Sequence, residues 1–171
     1  MNSAEIWKSL GALGVVLSGM SASAQPAAQN PTPGDSWLCT YAGASAMEPL
    51  GDRPGHAIRE VHYVCIGQSG PMQGGTMTAN GIYEWSGNQG KLLAANGVMR
   101  KPGSVVVFDT TEGSGNLVVV DGRPIGARTT GKGVYRLATG AAAELNGKTF
   151  TYSTRPAPNG QFIIEGSVAG P

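Results

Sequence analysis

Hydrophobic residues are densest between Gly103 and Gly122, in the stretch GSVVVFDTTEGSGNLVVVDG. Two runs, Val105-Val106-Val107-Phe108 and Leu117-Val118-Val119-Val120, are apolar at every position, and the segment between them is rich in Gly, Ser, Thr and Asn. Short runs of β-branched and aromatic residues around such a segment predict a hairpin. An antiparallel pair with one wet face would alternate apolar and polar residues, and this pair does not, so both its faces are predicted to be covered.

The same pattern predicts further strands at Ser36–Ala42, Ile58–Ile66, Gly75–Ala79, Ile82–Ser86, Lys91–Ala95, Ser104–Thr110, Asn116–Asp121, Ile125–Thr129, Gly133–Ala138, Thr149–Ser153 and Gln161–Val168. Asn80-Gly81, Asn96-Gly97, Asp121-Gly122, Asn146-Gly147 and Asn159-Gly160 all offer the positive φ of tight hairpin turns. Helical patterning is confined to Gly140–Leu145, enough for one turn. Short, evenly spaced strands relieved by glycine predict an all-β chain, a closed antiparallel β-barrel of about eight strands, with a β-sandwich as the alternative.

The amino-terminal region follows a different pattern. Lys8, the apolar run Leu10 to Met20 and Ala22-Ser23-Ala24 have the form of a signal peptide, with cleavage expected before Gln25. Residues 25–35 are Pro-, Ala- and Asn-rich and read as a flexible lead-in, leaving 36–171 as a single barrel domain. No run approaches the about 18 apolar residues of a membrane span, so a periplasmic or secreted protein is expected.

Charge changes the picture mainly by exclusion. With 13% charged residues and a net charge of +1, the chain has no basic stripe for nucleic acid. Cys39 and Cys65 both fall in strand patterns, and in an oxidising compartment they are expected to pair. Such a bond closes a loop of about 26 residues and is worth roughly 3 kcal/mol. Metal ligation is disfavoured, because His56 and His62 form no zinc spacing with the cysteines and Asp109 to Asn116 misses the calcium-loop pattern. No G-x-S-x-G is present, and Gly113-Ser114-Gly115 precedes a strand rather than a phosphate-binding helix, so no cofactor is expected.

Gly131-Lys132-Gly133-Val134-Tyr135-Arg136-Leu137-Ala138-Thr139-Gly140 resembles the G-x-G-x-aromatic-x-x-A-x-G signature of the dirigent and allene oxide cyclase barrels. The resemblance covers these ten positions and implies an eight-stranded, often trimeric barrel whose cavity carries or rearranges small hydrophobic molecules. The matched positions are structural and transfer no catalytic residue.

Candidate chemistry comes from alternation. In Arg59-Glu60-Val61-His62-Tyr63, Glu60 and His62 share one strand face, and a carboxylate beside an imidazole can serve as general acid or base. The competing reading makes them a solvated outer stripe with Val61, Tyr63 and Cys65 facing the core. Glu84, between Tyr83 and Trp85, lies in the cavity if those rings face out and in solvent if they face in; Glu165 shares this ambiguity, and Asp109, at a strand end, has starting a turn as its alternative role. Trp37, Tyr41, Tyr63, Trp85 and Phe108 are the candidate ligand-binding residues.

Three function classes stay open on this reading: binding of a small hydrophobic or aromatic ligand, a cofactor-free isomerase, cyclase or lyase, and a structural or inhibitory protein with a filled barrel. A homo-oligomer, dimer or trimer, is also expected. Outward-facing residues of the two valine runs would leave a patch of about 300–400 Å² to cover, worth several kcal/mol at roughly 25 cal/mol per Å².

Overall fold

The computed structural model describes residues 34–169; the segment read as a signal peptide and most of the lead-in lie outside the described residues. The strands are β1 (Asp35–Tyr41), β2 (Glu48–Pro49), β3 (His56–Gly67), β4 (Thr76–Ser86), β5 (Gln89–Lys101), β6 (Ser104–Val120), β7 (Arg123–Ala138), β8 (Thr149–Pro156) and β9 (Phe162–Val168). They form one antiparallel sheet in the order β1-β9-β8-β7-β6-β5-β4-β3-β2, and β1 also pairs with β3. That extra pairing closes a ring of eight strands, not evenly round about its axis. Register shifts at Ile82/Tyr83, Val107/Phe108, Thr110/Glu112 and Val118/Val119 mark bulges, which bend strands and supply curvature.

Cys39 and Cys65 are register partners on β1 and β3 and form a disulfide. The bond spans the seam at which the ring closes. β1 opens at Asp35, one residue inside the segment read as a flexible lead-in; Asp35 pairs with Gly166 and is buried.

The hairpin predicted within 103–122 is instead one continuous strand, β6. Gly113-Ser114-Gly115 does not turn: a side chain at Gly113 would meet the Tyr152 hydroxyl and Leu92, and one at Gly115 would meet Thr129 and Trp85. These glycines serve close packing rather than positive φ. The chain's own core covers only one face of this stretch. Val106 and Phe108 are buried in the core, whereas Val105 faces out. Val119 and Val120 are about half exposed (46% and 48%), because β6 outruns β5 after Asn116 and the β6–β7 tip projects past its neighbours. A lysine at Val106 would therefore probe the core and not an outer surface.

Asn80-Gly81 and Asn96-Gly97 are likewise not turns. They sit opposite one another inside β4 and β5, with Asn80 paired to Asn96 and Gly97 beneath the Phe108 ring. Asp121-Gly122 and Asn159-Gly160 do adopt positive φ, as does Gly147. Gly131 and Gly133 lie on β7, under Tyr152 and Phe150. One end of the ring is packed by Met72 from the β3–β4 loop and by Ala142 and Leu145 from the short 3-10 turn Gly140–Leu145, all joined to the core of Trp37, Met99, Val106 and Tyr135.

Candidate functional site

Strand alternation assigns each candidate an address. On β3, Arg59, Val61, Tyr63 and Cys65 face inward, while Glu60, His62, Val64 and Ile66 face out. The Glu60 carboxylate and the His62 imidazole lie 3.1 Å apart on the outer surface, each side chain more than half exposed, so neither reaches the interior. Glu84 is also outside: its Oε1 lies 2.8 Å from His56 Nε2, and His56 Nδ1 meets Asp52. The Asp52 and Glu84 carboxylates raise the His56 pKa, in that order of importance, and the same imidazole holds Asp52 below its ordinary range. This cluster tethers the β2–β3 loop to β4 and belongs to the outer wall.

Inside the ring is a cavity of about 100 Å³. Trp37, Tyr41, Tyr63, Trp85 and Phe108 all line it. Phe162 stacks on Tyr41 at 4.9 Å and meets Tyr63 edge-on at 5.4 Å, and Phe150 links Tyr135 at 4.8 Å to Phe108 at 5.8 Å. The glycines of the facing strands make this aromatic wall possible: Gly131, Gly133 and Gly97 leave the space that the rings of Tyr152, Phe150 and Phe108 fill.

Polar groups collect at the end where β3 and β7 begin and β1, β4 and β8 finish. The Tyr83 and Tyr152 hydroxyls lie beside each other and Thr129, and Thr129 Oγ1 is 2.8 Å from Thr154 Oγ1. Burial pushes the Tyr63, Tyr83 and Tyr152 hydroxyls above their usual range, so they stay protonated donors at neutral pH. Arg59 pairs across the sheet with Tyr83, its guanidinium carbon lies 5.6 Å from the centre of the Tyr41 ring, and its Nε donates to Ser45 Oγ at 2.9 Å.

Asp35 lines the cavity from the opposite end, 7% exposed. Desolvation raises its pKa from 3.8 to about 6. Among the described residues, the buried side-chain polar atoms without a hydrogen-bond partner are Asp35 Oδ1 and Trp85 Nε1, and both residues belong to the cavity wall. Such atoms are uncommon, since burying a polar group without a partner costs roughly 1–3 kcal/mol.

The sequence reading missed Asp35, Arg59 and the hydroxyl group of Tyr152, Thr129 and Thr154 as site residues. For Asp35 the signal was present, because Asp35, Trp37, Cys39 and Tyr41 continue one alternation. Among the described residues no group of three or more His, Cys, Asp or Glu side chains could hold a metal ion, and no helix is long and apolar enough to cross a membrane. No protein-family model, curated protein or solved structure matches the chain.

Proposed function

We infer that the barrel binds a small, mainly aromatic molecule carrying hydrogen-bonding substituents. The observation that carries this reading is the cavity itself, with its aromatic wall and the polar residues Asp35, Arg59 and Thr129 among its lining. Its volume of about 100 Å³ is below the ~300 Å³ at which drug-sized pockets begin and nearer the ~150 Å³ of a cavity that holds benzene, so a single-ring ligand fits best. The Cys39–Cys65 bond supports a place of work outside the reducing cytosol. Trp37 and Trp85 make binding visible. Titration with phenol or benzyl alcohol is expected to change tryptophan emission saturably, and Ala95→Phe, which fills the cavity from β5, is expected to abolish the change. Emission that stays flat with every single-ring compound tried would leave the filled-barrel reading in place.

A second reading follows from Asp35. A buried carboxylate with a free oxygen and a pKa near neutrality is suited to general acid–base work. In a cofactor-independent isomerase it would take a proton from the carbon beside a carbonyl and return one to the same or a neighbouring carbon. Run in D₂O, such a cycle places deuterium on carbon. Incorporation into a bound aryl ketone that persists unchanged in Asp35→Asn would remove the carboxylate from the chemistry.

A further inference from the structure

Asp35 and Arg59 are the ionisable side chains of the cavity wall whose charge is not that of a tyrosine, and they are unlike in their surroundings. Arg59 is half-buried, faces inward, and has no carboxylate within ion-pair distance among the described residues. The neighbouring acids do not serve it: Glu60 turns outward to His62, and Glu84 to His56 and Arg53. A cation held away from bulk water is normally paired, because desolvation without a partner is costly. The guanidinium is also positioned. Ser45 accepts from its Nε and in turn donates to the Glu60 carbonyl at 2.6 Å, which leaves both Nη groups without a partner among the described residues. Beside it stand the rings of Tyr41 and Tyr83. A planar cation with two free N–H edges, at the hydroxyl-rich end of an aromatic cavity, matches a planar anion attached to a ring.

We propose that the cavity selects single-ring carboxylic acids, with the carboxylate against Arg59 and the ring between the aromatic walls. The inference rests on the ligand-binding reading and narrows it to one chemical class. Ser45 is a positioning residue: it touches Arg59 and not the ligand.

Benzoate and its neutral isostere benzamide separate the alternatives when titrated calorimetrically at pH 7.5. Wild-type protein is expected to bind benzoate at least tenfold more tightly than benzamide. Arg59→Gln should erase that margin while leaving the benzamide affinity within about threefold, in keeping with a charge-assisted contact, and Arg59→Lys should restore part of it. Ser45→Ala, which keeps the cation but frees its plane, should narrow the margin without abolishing it. Equal binding of the two compounds by wild-type protein overturns the proposal and leaves the cavity reading intact, a result that does not depend on any variant folding. A margin that survives Arg59→Gln overturns it too, and failure to bind either compound overturns the proposal while the reading beneath it is decided by the phenol and benzyl alcohol titrations.

Discussion

Asp35 shows how much one residue's surroundings decide. Its carboxyl is removed from water at a strand start with one oxygen unpaired, so the folded state favours the protonated form and the pKa rises from 3.8 to about 6. The stability this group contributes is complete below the unfolded value and is lost as pH rises through the folded one. The loss, at most about 3 kcal/mol, should fall between pH ~4 and ~6. Denaturant midpoints across that range should therefore drop more steeply for the wild type than for Asp35→Asn, which stays uncharged, and the variant should be the more stable protein at pH 7. Parallel curves would mean that the carboxyl is solvated. The residue is legible in the sequence only as the first step of the Asp35, Trp37, Cys39, Tyr41 alternation; its position beside a Pro-rich segment obscures it. Arg59 is harder to see, because its value lies in lacking an acidic partner, a fact about neighbours brought together by the fold.

At the level of elements, the sequence conveys strand content and face assignment better than it conveys where strands end. Alternation places Val61, Tyr63 and Cys65 inside, with Glu60 and His62 outside. The ends go wrong where glycine has two physical meanings. Asp121-Gly122 is a turn with φ of 49° and 74°, whereas Asn96-Gly97 has the same local chemistry and runs straight through β5 because Phe108 needs the space. Gly113 and Gly115 behave similarly beneath Tyr152 and beside Trp85. Local turn propensity and distant ring packing both select glycine, and only the partner strand distinguishes them. Strands predicted as pairs of short segments, such as Gly75–Ala79 with Ile82–Ser86, consequently merge into single long ones like β4. The cavity inherits its aromatic lining from this substitution of space for turns.

For the whole molecule, the controlling feature is the seam. β1 is held to β3 by main-chain pairing and by the Cys39–Cys65 bond, which joins residues 26 apart. Removing the bond should cost roughly 3 kcal/mol on the loop-entropy account. Paired denaturation curves of oxidised protein and of a Cys39→Ala/Cys65→Ala variant measure this, and coincident midpoints would mean that pairing alone holds the seam. The opposite edge of β1 is completed by β9, the last strand among the described residues. The first and eighth strands, β1 and β8, are therefore bridged by the same seven residues, Phe162–Val168. Whenever β9 is undocked, two bare edges and the aromatic interior would face the surroundings together, the combination that invites pairing with other chains. By fastening β1 to β3, the disulfide holds one side of that gap in place whether or not the strand that fills it has docked.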